Sequence, residues 1–193
     1  MDVRLLLEHR HDAVEAGGVE QTQKLVVLKD PNSGGSEADI AAQTRSLFAI
    51  RDDLNAAADA VHRIEAARVQ LGALEKTVGD SVVKSAAAAL QQKYIDLEMN
   101  LVDLRLTGHG QDGVRFGSKL ISKLGYLTNG IARSDYKPTD QDEEVRQLLH
   151  TELGAQLAAL DALQSKELAA FNEMLRERNV PNVIVGGGET RSR

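Results

Sequence analysis

The fold is decided by the stretch from Ser36 to Lys76, which reads SEADIAAQTRSLFAIRDDLNAAADAVHRIEAARVQLGALEK. Aliphatic residues recur in it every seven positions, as in helices that pack along a coiled-coil seam. We predict one helix over about 36–76, with Ser36 as N-cap and Asp39 in the capping-box position. At 1.5 Å per residue it would be roughly 60 Å long, so it needs partners along its length.

This helix carries two adjacent heptad rows. They are Ile40, Leu47, Leu54 and Val61, and Ile50, Ala57, Ile64, Leu71 and Val78. Gln43 and Arg68 are the polar interruptions. An enclosed Arg68 needs a carboxylate partner, for which Glu98, Glu152 and Glu167 are the candidates. Otherwise its charged end reaches solvent.

Three further apolar stripes predict three more helices. The second helix begins near Asp80 or Ser81, and its stripe is Val83, Ala87, Leu90, Tyr94, Leu97, Leu101 and Leu104. The third stripe is Phe116, Leu120, Leu124, Leu127 and Ile131. The fourth is Val145, Leu149, Leu153, Leu157, Leu160, Leu163, Phe171 and Met174, capped by Thr139 or Asp140 and ended by Asn179 and Pro181. Beyond it, 183–185 is expected to pack back as a short extended piece.

The first thirty residues have a different character. Val3–Leu7 and Val19–Leu28 are aliphatic segments of strand length, and Gly17–Gly18 lies between them. They predict a β-hairpin whose outer edges need a cover. We interpret it as the remnant of a β-sandwich, followed by the turn-rich link from Asp30 to Gly35.

The predicted fold class is mainly α: an antiparallel four-helix up-down bundle with long first and last helices, preceded by a short N-terminal β-hairpin. Turns of a few residues place successive helices antiparallel, which favours this topology. The corresponding units are a hairpin at 1–30, a bundle at 31–185 and a disordered tail at 186–193.

Composition excludes several classes of function. With 193 residues and 42% hydrophobic content the chain can bury a core. A net charge of −6 and the absence of Trp argue against nucleic acid as a partner. The lack of Cys excludes disulfides and thiolate chemistry. No run of eighteen apolar residues predicts a membrane span, and the acidic N-terminus does not resemble a signal peptide.

The search for chemistry yields weak patterns. The histidines are His9, His11, His62, His109 and His150, of which His11 completes Glu8-x-x-His11 and His62 completes Asp59-x-x-His62. Carboxylate groupings occur at Asp52 and Asp53, at Asp96 and Glu98, and at Asp142, Glu143 and Glu144. We interpret all of these as surface or helix-capping residues. The sequence therefore predicts no catalytic, cofactor-binding or metal-ligating residue and no cofactor.

A set of motifs spread over about residues 19–185 carries a family resemblance. The motifs are Thr22–Val27 with Asp30–Pro31, Ala38–Asp39 with Gln43, Ile50–Leu54, Ile64, Arg68, Lys119–Leu120, Lys123–Leu124, Pro138–Thr139, Leu168–Asn172 and Val180–Pro181. In this order they resemble the C-terminal end of bacterial sortilin-like, BNR-repeat β-propeller proteins, many labelled glycosyl hydrolases. There the last strand of a small β-sandwich leads through an Asp-Pro turn into a helical module.

The resemblance implies a partner and a location. It implies that the chain packs against β-propeller and β-sandwich regions of a parent or neighbouring protein, in the periplasm or outside the cell. Because the propeller motifs are missing, no catalytic residue transfers to this chain. Our first hypothesis is thus a non-catalytic helical C-terminal module. The alternatives are a free-standing bundle that forms a homo-oligomer, and a glycoside hydrolase in its own right.

Overall fold

A computed structural model describes residues 10–16, 19–25, 28–106, 108 and 111–186, which are mainly helical. Two strands come first, β1 (Arg10–Ala16) and β2 (Val19–Leu25). The helices are α1 (Glu37–Thr77), α2 (Ser81–Leu101), α3 (Asp112–Arg115), α4 (Leu120–Ile131), α5 (Asp140–Ala162) and α6 (Ala169–Glu177), with a π-helical turn at Leu163–Leu168 joining the last two. The predicted mainly α class is confirmed. Within the described ranges, no helix is long and apolar enough to cross a bilayer.

The helix starts follow from capping chemistry. The Ser36 hydroxyl accepts from the Asp39 N–H at 3.1 Å, and the Asp39 carboxylate accepts from the Ser36 N–H at 3.0 Å. Thr139 and Asp142 form the same capping box at the start of α5. These pairs satisfy N–H groups that a helix start otherwise leaves without partners. The predicted starts of the first and last long helices are confirmed.

The two strands pair antiparallel, from Arg10 opposite Leu25 to Ala16 opposite Val19. The first predicted strand, Val3–Leu7, lies outside the described residues, and so does most of the predicted tail. β1 is a more polar segment than the one that the sequence pattern favoured.

The long helices run in the order up, down, down, up. α5 is parallel to α1, because Ser46 contacts Glu143, Asp53 contacts His150 and Arg63 contacts Asp161. Both α2 and α4 run antiparallel to α1: Arg68 pairs with Glu98, and farther down α1 Gln43 donates to the Ile131 carbonyl at 2.8 Å. α2 and α4 therefore cover successive parts of α1, and in cross-section the rod has three helices.

The predicted up-down-up-down topology is wrong, because the connection between α2 and α4 is long. Residues 102–119 include the short helix α3 and carry the chain along the rod without reversing it. The third helix starts at Leu120, so Phe116 lies outside it, half-buried. A short turn would have imposed the reversal that we expected.

The core of α1 uses one of the two predicted rows. Ile50, Ala57, Ile64 and Leu71 are fully buried. The companion row is not the predicted aliphatic one, whose Leu47, Leu54 and Val61 are only partly buried. It contains Ser46, Asp53, Ala60 and Ala67, all buried. Small and polar side chains occupy this row because it faces two closely packed helices, and their low hydrophobicity hid it from the sequence pattern.

The π turn changes the register of the last long helix. Leu160 and Leu163 are buried, and the next buried leucine, Leu168, follows five residues later. A π turn holds more residues than an α turn, so it returns Leu168 to the core side. Phe171 and Leu175 continue the buried stripe from there, whereas Met174 is only partly buried. An uninterrupted helix could not keep both halves of the stripe on one side.

The segment from Asp30 to Gly35, predicted as a loose link, packs against the turn between α4 and α5. Gly35 is buried, and a Cβ added to it would lie 1.9 Å from the Asp135 carbonyl oxygen. At Gly34 an added Cβ would meet the Tyr136 hydroxyl. The two glycines thus allow a backbone approach that a side chain would prevent.

Candidate functional site

Of the five histidines, the structure describes the side chains of His62 and His150, which lie on different helices. His62 is exposed, like Asp59 of the same pattern. His150 lies on α5, and its Nδ1 is 2.8 Å from Asp53 Oδ1. His9 and His109 lie outside the described residues, as does Glu8, and the side chain of His11 is not described. Within the described residues, no group of three or more His, Asp or Glu side chains is placed to hold a metal ion.

Among the described residues, the most deeply buried charged residue is Glu98. Its side chain has no solvent exposure, and it accepts a hydrogen bond from Arg68 Nη1 across the interface between α1 and α2. The predicted need of Arg68 for a carboxylate partner is confirmed, with Glu98 as that partner. Our interpretation of Glu98 as a surface residue is wrong, because residue 98 adjoins the stripe of α2 and faces α1.

Around this ion pair lies a cluster that we call the polar layer: Arg63, Arg68, Tyr94, Glu98 and Gln164. Tyr94 is fully buried one turn before Glu98 on α2. Burial raises the pKa of Tyr94 to about 12, although Gln164 and Arg63 oppose the shift. Its hydroxyl therefore stays protonated at neutral pH. Arg63 links the layer to solvent through Asp161 at 2.7 Å and also donates to Gln164 in the π turn.

A second polar seam joins α1 to α5 nearer the start of both helices. Ser46 donates to Glu143, whose other carboxylate oxygen accepts from Arg146 Nε at 2.7 Å. Partial burial raises the pKa of the Glu143 carboxyl, but the hydrogen bonds from Ser46 and Arg146 outweigh it, so that the pKa is lowered. Asp53, which we interpreted as a surface carboxylate, is buried in the same seam beside His150. The seam holds its charges in place between two helices.

A third charged pair lies in the connection between α2 and α4. Asp103, with a buried side chain, accepts from Arg105 Nε and Nη2 at 2.8 and 2.6 Å. These hydrogen bonds lower the pKa of Asp103 to about 2. The Arg105 guanidinium also stacks on Phe116, 4.2 Å from the ring centroid. The pair thus links the two ends of the connection.

The three buried carboxylates of the described chain belong to three different pairs. Asp53 is paired with His150, Glu98 with Arg68 and Asp103 with Arg105. Each of these carboxylates is paired with a cation or an imidazole, and no two of them converge on one site. This arrangement fixes helices and a loop in position.

The last helix, α6, runs beside the four consecutive alanines of α2, Ala86–Ala89. A shallow groove of about 300 Å3 between the two helices is lined by Ala86, Ala89, Phe171 and Met174 among others, and Lys93 and Glu167 form an ion pair at its margin.

Comparison with known proteins gives no match: no family model, no curated protein and no solved structure is similar to this chain. The resemblance to sortilin-like proteins stays a prediction.

Proposed function

We propose that this chain is a non-catalytic helical module of a sortilin-like, BNR-repeat propeller protein, where it packs against the propeller and β-sandwich regions. The observation that carries the proposal is the pairing, between helices, of a buried polar group with a half-buried one. Arg68 with Glu98, and Ser46 with Glu143, bind one helix to the next. Groups used in this way hold a rigid rod together, and a rigid rod is suited to presenting a surface.

The hairpin supplies the contact in this proposal. β1 and β2 form a two-stranded sheet, so each strand has an outer edge. Strand edges offer N–H and C=O groups that pair with another strand. We place the hairpin as the last part of the β-sandwich, residues 31–185 as the helical body, and the whole protein outside the cytoplasm.

The test uses the full chain and a separately expressed propeller with its β-sandwich, encoded upstream or in a neighbouring frame. On mixing, gel filtration should show a complex at micromolar concentrations. Hydrogen exchange should then show protection of the amides of β1 and β2, while those of α2 serve as the internal control. Separate elution at every concentration, or protection confined to the helices, would contradict the proposal.

Self-association through a helix face is the second candidate. α5 exposes Val145 and Leu148, three residues apart on one face, at 43% and 58%. If this face forms a dimer, Leu148→Asp should abolish a reversible dimer in sedimentation equilibrium, whereas Val82→Asp on α2 should not.

A hydrolase would need two carboxylates that converge on one bond. The separate pairing of Asp53, Glu98 and Asp103 does not support that alternative.

A further inference from the structure

The segment after α6 lies back on the rod and is held by two side-chain amides. Asn172 donates to the Val183 carbonyl and accepts from the Val183 N–H, both at 2.9 Å. Gln70 does the same for Ile184, at 2.7 and 2.9 Å. We call residues 180–186 the strap. α1 and α6 thus bind its backbone as a neighbouring strand would, with two hydrogen bonds to one residue.

The side chains of the strap alternate as they do in a strand. Val183 is 3% exposed and belongs to the core, whereas Ile184 is 74% exposed. Val185 and Val180 pack against the edge of the core. No residue of the strap is charged. The rod therefore binds this segment through its backbone N–H and C=O groups and through the buried Val183 side chain. The strap is the segment of this chain that meets both requirements.

The hinge between α6 and the strap contains a residue in the left-handed conformation. The Val180 N–H bonds the Leu175 carbonyl at 2.9 Å and the Asn179 N–H bonds the Arg176 carbonyl at 3.1 Å, as in a Schellman motif. This places Asn179 at φ 55°, the one positive φ outside glycine in the described chain. Asparagine tolerates that conformation better than most other side chains, but glycine adopts it more readily still. Pro181 favours an extended backbone at itself and at Val180, so the first two residues of the strap stay extended when it leaves the rod.

From these features we infer that the strap exchanges between two copies of the chain. In the exchanged dimer, Asn172 and Gln70 of each copy hold Val183 and Ile184 of the other. Every contact of the strap is then reproduced, and Asn179 is free to leave the left-handed conformation that glycine would adopt more readily, which favours exchange. The two rods meet at the end where Arg178 pairs with Asp80 at 3.2 Å. This inference does not depend on the propeller partner.

Disulfide trapping tests the exchange, because the natural chain has no cysteine. Two full-length single variants, Gln70→Cys and Ile184→Cys, are mixed and oxidised slowly. We expect a 70–184 disulfide between chains, identified by mass spectrometry. The double variant Gln70→Cys/Ile184→Cys shows that the geometry permits the bond within one chain. Asp59→Cys mixed with Ile184→Cys measures random collision, since exposed residue 59 lies three helical turns away on α1.

The inference would be overturned if the double variant forms its disulfide within one chain while the mixed single variants form no more disulfide between chains than the Asp59→Cys control. The hinge gives a second readout by sedimentation equilibrium. Asn179→Gly should lower the dimer association constant roughly tenfold, because glycine adopts a positive φ without strain, and Asn179→Val should raise it. The inference would also be overturned if Asn179→Val were a monomer at all concentrations. It would be overturned as well by a dimer whose association constant does not change with residue 179, and that dimer would be one formed through a helix face.

Discussion

Arg68 of α1 and Glu98 of α2 form an ion pair in which the arginine side chain is 26% exposed and the glutamate has no exposure. The pair is therefore asymmetric. The arginine can turn towards water when its partner is removed, but the carboxylate cannot. Glu98 Oε1 and Arg68 Nε are also buried and make no hydrogen bond within the described chain. The stability of this interface thus depends on which partner is changed.

Replacement of the arginine should be the more damaging change. We expect Arg68→Ala to lower the free energy of unfolding by about 3 kcal/mol or more, because it leaves a buried charge without compensation. The double change Arg68→Met with Glu98→Leu should be neutral or stabilising. Urea unfolding measures both. Arg51→Ala is the control, since its pair with Asp52 is exposed on both sides and should contribute less than about 1 kcal/mol. Equal losses from Arg68→Ala and from Glu98→Ala would contradict the asymmetry.

Deletion of one residue distinguishes the π turn from the rest of the last long helix. Removing the exposed Ser165 should convert the π turn to α-helix and leave Leu168 facing the core, so we expect a change within about 1 kcal/mol. Removing the exposed Ala158 rotates all later core residues by about 100°, which should cost several kcal/mol or prevent folding. Thermal unfolding followed by circular dichroism compares the two deletions. A Ser165 deletion as damaging as that of Ala158 would show that the wide turn has another role.

Changes at Asn172 should weaken the binding of the strap to the rod by graded amounts. Asn172→Ala removes both hydrogen bonds to Val183 and should destabilise the strap locally by about 1–3 kcal/mol. Asn172→Asp keeps an acceptor for the Val183 N–H but loses the donor, so its effect should be intermediate. Native-state hydrogen exchange of the Val183 amide reports both changes. Asn55→Ala, at an exposed position of α1, is the control. Unchanged exchange in Asn172→Ala would mean that the Val183 side chain and Gln70 hold the strap without help from Asn172.

The Asp103–Arg105 pair should stabilise the connection between α2 and α4 down to low pH. The pKa of Asp103 is lowered from 3.8 to about 2 by its hydrogen bonds to Arg105, so the folded state favours the carboxylate. The stabilisation is therefore present above about pH 4 and is lost as the pH falls through 2. An NMR titration of the Asp103 carboxyl should show a midpoint near 2, and Arg105→Gln should return it towards the ordinary range. A midpoint near 4 in the natural chain would contradict this.

Local rules were sufficient to predict the starts of α1, α2 and α5. Ser36 with Asp39, and Thr139 with Asp142, are short-range capping pairs, and capping acts within a few residues. The row from Ile50 to Leu71 was equally readable, because its period is local. The companion row through Asp53 and Ala60 was not, since small and polar residues are buried there only because two helices converge on it.

The sequence by itself determined that this chain forms long amphipathic helices, where most of them begin, and that an enclosed Arg68 requires a carboxylate. Each of these properties arises from residues within a few turns of one another. The tertiary structure decided that α4 continues the direction of α2, that the last helix widens at Leu163–Leu168, and that Asn172 and Gln70 hold the strap. The direction of α4 and the contact of Gln70 with the strap depend on residues distant in sequence. The π turn depends on the packing of its helix against the others, so local patterns do not encode these features.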